Sequence, residues 1–112
     1  MSYYNGKYTQ HLQIVIEAED HDTCLRFTKY LRNAIKPWFF QLEMLSEFKS
    51  ARKGDVLTRE IQVRQTAYAS DIITLNQMIK SLIWHYNLLY NVNIFIHTDE
   101  ALPKDGRFDL LH

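Results

Sequence analysis

Residues 70–97, SDIITLNQMIKSLIWHYNLLYNVNIFIH, contain two apolar periodicities in succession. Ser70 is a residue type favoured at a helix N-cap. The next apolar side chains recur every three or four residues, as they do on the buried face of an amphipathic helix. They are Ile72, Leu75, Ile79, Leu82, Tyr86 and Leu89. From Val92 to Ile96 every second residue is apolar, which is the period of a strand. The stretch therefore predicts a helix that leads directly into a strand.

The first part of the chain shows a strand pattern followed by a helix pattern. Residues 11–18 alternate between apolar and polar side chains, with Val15 as the exception. Asp20 or Asp22 then supplies an acidic N-cap. The first helix of the chain follows and is also amphipathic, with Pro37 expected to end it because proline disfavours helical conformation in the residue before it. Its apolar positions are Cys24, Phe27, Leu31, Ala34, Ile35 and Trp38.

Two further alternating runs, over residues 39–48 and 57–64, lie between the two helices. The polar segment 49–55 separates them and contains Gly54, which is free to take a positive φ. Arg59 occurs on the apolar side of its run, so we expect this hairpin to extend past the core. The whole order predicts an α+β two-layer sandwich, ferredoxin-like β-α-β-β-α-β, with two helices on one face of a four-stranded antiparallel sheet.

A length of 112 residues predicts a single domain over 1–112. We expect residues 1–9 to be a loosely held arm and residues 99–112 to be a C-terminal tail.

Lysine plus arginine and aspartate plus glutamate number 13 each, and this zero net charge disfavours nucleic acid as the main partner. The single cysteine, Cys24, excludes an intrachain disulfide and fits a reducing compartment, so a cytoplasmic location is expected. No apolar run is long enough to span a bilayer, so no membrane partner is expected.

The sheet face that the helices leave open is one candidate surface. A strand order of four, one, three, two predicts which residues occupy it: His11, Gln13, Val15 and Glu17; Asn93, Phe95 and His97; Thr58, Glu60, Gln62 and Arg64; Gln41, Glu43, Leu45 and Glu47. Its central strands carry no aromatic residue, which disfavours single-stranded RNA recognition. The remaining alternatives are a solvated face and a homodimer face with Val15, Leu45 and Phe95 as apolar anchors. The homodimer face is slightly favoured.

A second candidate surface lies on the outer side of the second helix. At about 100° per residue, Ile73, Trp84 and Leu88 share a stripe away from the core positions. A tryptophan with two aliphatic residues is typical of a partner-binding surface. The alternative is that the N-terminal arm or the C-terminal tail covers this stripe, and the sequence does not distinguish the two.

Two clusters of cations form a third candidate surface. The first helix carries Arg26, Lys29, Arg32 and Lys36, and the hairpin turn carries Lys49, Arg52 and Lys53. Flexible cations of this kind can contact the phosphates of a nucleic acid. A solvated helix face and a charged turn are the more common explanation.

A possible chemical site involves two histidines. Antiparallel pairing of the first and last strands would bring His11 towards His97, with Asp99 two residues further on. Such a His-His-Asp group could bind a metal or act as a general base. A shift of one residue in the register would separate the pair. No nucleophile or phosphate-loop motif is present, so no cofactor is expected and an enzyme is less favoured.

These patterns leave three functional hypotheses. The leading one is a non-catalytic interaction, regulatory or assembly protein that forms a homodimer and binds a macromolecular partner, as small phage- and plasmid-encoded proteins often do. The first alternative is a nucleic-acid-binding protein that uses the two cation clusters. The second alternative is a small-molecule enzyme or sensor with His11 and His97 at its site.

Overall fold

The computed structural model describes residues 6–100, apart from the side chains of residues 46–50, 53 and 100. The elements follow in the order β1 (Tyr8–Ala18), α1 (His21–Ile35), a 3-10 helix (Lys36–Gln41), β2 (Leu42–Lys53), β3 (Val56–Ala67), α2 (Ala69–Leu89) and β4 (Asn93–Glu100). In these residues the sheet is antiparallel with the order β2-β3-β1-β4. The predicted α+β class, with two helices and an antiparallel sheet, is confirmed.

The core lies between the helices and one face of the sheet. The central strand β1 buries Leu12, Ile14, Ile16 and Ala18 on that face, while the residues between them are half-buried. Ile14 is opposite Ile61 of β3 and Ile96 of β4, so one row of isoleucines crosses three strands. Phe27, Leu31, Leu75 and Ile79 of the two helices pack in the same core. This burial of alternate residues is what the apolar periods of the strands predicted.

Of the two predicted cap residues, Asp20 is the N-cap of helix α1, and Asp22 lies in its first turn. Asp20 Oδ1 accepts a hydrogen bond from the Thr23 amide, and Oδ2 accepts one from the Thr23 hydroxyl, both at 2.7 Å. These hydrogen bonds favour the charged carboxylate and hold the pKa of Asp20 below its ordinary value. The helix ends at Ile35, and Pro37 follows in the first turn of the 3-10 helix.

The predicted start of the second strand at Phe39 is wrong. Proline fixes a φ that suits the first turn of a helix, and the chain continues as a 3-10 helix to Gln41. The strand β2 therefore begins at Leu42. Phe40, which has the same place in the alternation as the more buried Leu42 and Met44, is 81% exposed.

The predicted apolar stripe of α2 needs two corrections. Ile83 is buried where Leu82 was expected, and Leu89 is 58% exposed. Ile83 lies about 40° around the helix from Ile79, whereas Leu82 lies about 60° from it on the other side. After Ile79, a four-residue step to Ile83 therefore follows the buried line better than the predicted three-residue step to Leu82. Tyr68 occupies the N-cap position, and Ser70 lies inside the first turn.

The strands are longer than predicted at both ends of the domain. Strand β1 begins at Tyr8, so Tyr8 and Thr9 pair with β3 and are not part of an arm. Asp99 and Glu100 belong to β4 and not to a tail. The predicted start of β1 was too late because Gln10 is polar although it is buried, so the apolar alternation became visible only after it. The rest of the predicted arm and tail, residues 1–5 and 101–112, lies outside the described residues.

Neither described helix has the length and apolar composition needed to cross a bilayer.

Candidate functional site

The outer side of α2 exposes two large apolar side chains one turn apart. Trp84 is 67% exposed and Leu88 is 64% exposed, and we call this pair the α2 patch. Ile73, the third residue of the predicted stripe, is half-buried and lies roughly 16 Å further along the helix axis. Exposed Gln77, Lys80 and Ser81 lie between Ile73 and Trp84, so the predicted stripe is interrupted.

The contacts of α2 show in which direction the α2 patch faces. The Tyr86 ring lies 5.1 Å from the ring of Phe27, so this side of α2 faces α1. The Asn87 side chain exchanges two hydrogen bonds of 2.8 Å with the backbone of Ile94, so the side about 100° further round faces β4. Trp84 lies about 60° beyond Asn87 in the same direction. The α2 patch is therefore on the β4 side of the domain and turned away from α1.

An aromatic cluster joins the two helices on the other side of α2. The ring of buried Phe27 has the rings of Tyr30, Tyr86 and Tyr90 at 5.4, 5.1 and 5.2 Å. Burial raises the pKa of Tyr86, and the neighbouring phenols of Tyr30 and Tyr90 raise it further. The edge-to-face contacts of Tyr86 and Tyr90 with Phe27 pack the last turns of α2 against α1, on the side of α2 opposite to the α2 patch.

The open face of the sheet is mostly polar and internally hydrogen-bonded. The amides of Gln13 and Gln62 both donate to Glu60, and Asn93 donates to Glu17 at 2.7 Å. Arg64 forms an ion pair of 2.9 Å with Glu43. Gln41, predicted on this face, belongs to the 3-10 helix and contacts Asp71 of α2 instead.

The three predicted apolar anchors of the open face do not form one patch. Val15 and Phe95 are directly opposite each other on β1 and β4, and both are half-buried. Leu45 lies on the other edge strand, where the pairing of β2 with β3 shifts between Met44 and Ser46. The polar residues of β3 separate it from Val15. This division weakens the prediction that the open face itself is the dimer surface.

The cations of the first helix share a solvent-exposed surface. Arg26, Lys29, Arg32 and Lys36 are all exposed, and the Arg26 guanidinium lies 5.4 Å from the centre of the Phe27 ring. Arg52 near the hairpin turn is exposed as well. The side chains of Lys49 and Lys53 lie outside the described residues, so the second cation cluster stays a prediction.

The predicted His-His-Asp group does not form. In the register of β1 with β4, His11 is opposite Asp99, and His97 is opposite Gln13. His97 packs its ring against Phe95 at 5.5 Å. Among the described residues, no three histidine, cysteine, aspartate or glutamate side chains form a group that could hold a metal ion. The register, which the sequence alone does not determine, is the reason for the difference.

A chain of buried amides was not predicted. Gln10 Nε2 donates to Gln65 Oε1 at 2.6 Å and to Asn76 Oδ1 at 2.9 Å, and Asn76 donates back to Gln10. Gln65 donates to Gln41, which in turn donates to Asp71 at 2.7 Å. The chain connects β1, β3, the 3-10 helix and α2. Its signal in the sequence is the placement of Gln10 and Gln65 at positions where the alternation expects apolar residues.

The similarity of this chain to known proteins concerns the fold alone. No family model matches it, and no curated protein matches it in sequence. The solved structure of the de novo designed protein Foldit4 is similar to it, with a TM-score of 0.59, 12% identity, and coverage of 81% of this chain and 96% of that chain. The full extracellular region of zebrafish Gpr126/Adgrg6 aligns at a TM-score of 0.43 and 9% identity, over 84% of this chain and 13% of that one. The second similarity is too weak to support any argument.

Proposed function

We propose that this protein is a non-catalytic interaction protein that forms a homodimer and binds a macromolecular partner. The α2 patch carries the proposal, because Trp84 and Leu88 are both about two-thirds exposed on a helix whose other side packs against α1. The strand order β2-β3-β1-β4 supports a ferredoxin-like arrangement. The buried free thiol of Cys24 supports a cytoplasmic location.

The apolar area of the α2 patch supports association. Burying the exposed parts of a tryptophan and a leucine contributes on the order of 2–4 kcal/mol before the costs of association. Tryptophan is also the residue type most enriched among the side chains that dominate binding energies. By contrast, many polar side chains of the open face are already hydrogen-bonded to one another.

Replacing Trp84 with alanine is expected to weaken the homodimer about 30-fold, the equivalent of about 2 kcal/mol. Sedimentation equilibrium of the purified full chain measures this dissociation constant. Phe40→Ala is the matched control, because Phe40 is 81% exposed on the 3-10 helix and away from the α2 patch. A dimer equally strong in both variants would contradict a role for Trp84, and a monomeric wild-type protein would contradict homodimerisation.

A second candidate function is nucleic-acid binding through α1, which the four exposed cations support. Each phosphate contact releases counterions, so the affinity for a DNA or RNA probe should fall steeply as salt increases. The double variant Lys29→Gln, Lys36→Gln is expected to reduce the slope of log affinity against log salt by about 2. Lys80→Gln on α2 is the control. Absent or salt-insensitive binding would exclude this function.

A further inference from the structure

The first helix and the 3-10 helix that follows it carry a concentrated positive charge. Residues 23–42 contain four cations and no aspartate or glutamate, although the whole chain has zero net charge. The four cations are all exposed: Arg26, Lys29, Arg32 and Lys36. Apart from Arg32, they lie within about 80° of one another around the helix, on the side opposite to buried Leu31. This outer side of α1 is therefore suited to contact with an anionic surface.

The 3-10 helix turns two phenylalanines towards solvent at the end of this row of cations. Side chains three residues apart in a 3-10 helix lie on the same side of it. Trp38 and Gln41 share the side that faces the domain, where Trp38 packs against the core. Lys36 and Phe39 share the second side, and Phe40, which is 81% exposed, lies on the third. We call Arg26, Lys29 and Lys36, together with Phe39 and Phe40, the α1 ridge.

We propose that the α1 ridge binds the surface of a membrane that contains anionic phospholipids. The cations contact the headgroups, and the ring of Phe40 enters the boundary between the headgroups and the acyl chains. A contact of this kind needs no spanning helix, because the protein lies on the membrane and does not cross it. The inference goes beyond the proposed homodimer and does not depend on it.

The shape of the α1 ridge favours a membrane over a nucleic acid. Proteins that bind single strands hold them in a positively charged groove with aromatic rings in its walls. The α1 ridge is instead the convex outer side of two consecutive helices, and a flat membrane surface can contact its whole length. An exposed phenylalanine is also a better match for the apolar layer of a membrane, which surrounds the ring, than for a base, which covers one of its faces.

Two weak contributions make up the contact. A cation close to an anionic leaflet strengthens binding about fivefold, so the three cations of the α1 ridge together contribute about 100-fold. Partial burial of the Phe40 ring contributes about tenfold more. Neither contribution anchors a protein by itself. Binding to neutral vesicles should therefore be negligible, and binding to anionic vesicles should be reversible.

Co-sedimentation of the purified full chain with vesicles tests this inference. One set of vesicles contains phosphatidylcholine alone, and the other contains about one-third phosphatidylserine. At low salt the protein should bind the anionic vesicles at least about tenfold more strongly than the neutral ones. High salt should release it, because salt screens the attraction between the cations and the headgroups.

Two variants of the α1 ridge separate the role of the charges from that of the ring. The double variant Lys29→Gln, Lys36→Gln should weaken binding to the anionic vesicles about 25-fold, and Phe40→Ala should weaken it about tenfold. The matched controls lie on α2. Lys80→Gln removes an exposed cation, and Leu89→Ala removes an apolar side chain that is 58% exposed. Both controls should bind as wild type does.

The outcomes separate this inference from the other proposals. A preference for anionic vesicles that both ridge variants weaken and both controls retain supports it. Absent binding, equal binding to neutral vesicles, or binding that neither ridge variant weakens overturns it, and binding that depends on the lysines alone overturns the entry of Phe40 into the membrane. Binding of a nucleic-acid probe without any binding of vesicles overturns it and assigns the cations to the second candidate function. Sedimentation equilibrium without vesicles measures the homodimer separately, so either proposal can fail while the other stands.

Discussion

Replacing Phe27 with alanine is expected to lower the free energy of unfolding by about 3–5 kcal/mol. Phe27 is fully buried, and its ring is surrounded by those of Tyr30, Tyr86 and Tyr90. The substitution removes a large apolar side chain, leaves a cavity and ends the edge-to-face contacts between α1 and the last turns of α2. Domains of this size have total stabilities of about 5–15 kcal/mol, so the loss is a large fraction of the whole.

Urea unfolding followed by tryptophan fluorescence and circular dichroism measures this loss. The control variant Phe40→Ala removes the same side chain from a position that is 81% exposed. It should change the free energy of unfolding by no more than about 0.5 kcal/mol. If the two variants had equal stability, the packing of Phe27 at the centre of the aromatic cluster would be contradicted.

Replacing Gln65 with alanine is expected to cost about 2–4 kcal/mol, the second-largest effect. Gln65 is fully buried, accepts a hydrogen bond from Gln10 and donates one to Gln41. Its removal leaves buried amide groups of both neighbours without one of their partners, and it also leaves a cavity. An unpaired buried polar group costs more than the hydrogen bond contributed, because water no longer solvates it.

Three variants separate the two contributions in the same unfolding assay. Gln65→Met nearly conserves the volume but removes the hydrogen bonds, so its cost of about 1–3 kcal/mol measures the polar part. Gln62→Ala lies on the same strand with its side chain on the open face, and it should cost less than about 1 kcal/mol. A Gln65→Met protein as stable as wild type would show that the buried amides do not depend on one another.

The residues that the sequence placed correctly are those whose signals are local. The Asp20 cap and the end of α1 before Pro37 depend on hydrogen bonds and steric limits within a few residues of each other. The burial of Leu12, Ile14 and Ile16 follows from the strand period alone. Leu82 and Leu89 were misplaced because the apolar stripe of a helix is broad, and only the packing against α1 and the sheet selects its buried centre.

The candidate sites depend on strand register and on contacts between elements, and the sequence predicts both of these less well than it predicts helices and strands. The pairing of His11 with Asp99 and not with His97 comes from the alignment of β1 and β4, which are far apart in the sequence. Gln41 moved to the helix side because Pro37 allowed a 3-10 helix in place of the first residues of a strand. The exposure of Trp84 was predicted from its angle on α2 and is confirmed.

The sequence by itself determined the α+β class, with two helices and an antiparallel sheet, and most of the core, because apolar periods of two and of 3.6 residues are local properties. Only the tertiary structure decided which polar side chains meet, since this depends on strand register and on the contacts between elements. It joined Gln10, Gln65 and Asn76 in the core and placed His11 opposite Asp99 instead of His97. It also placed the α2 patch on the β4 side of the domain and turned it away from α1.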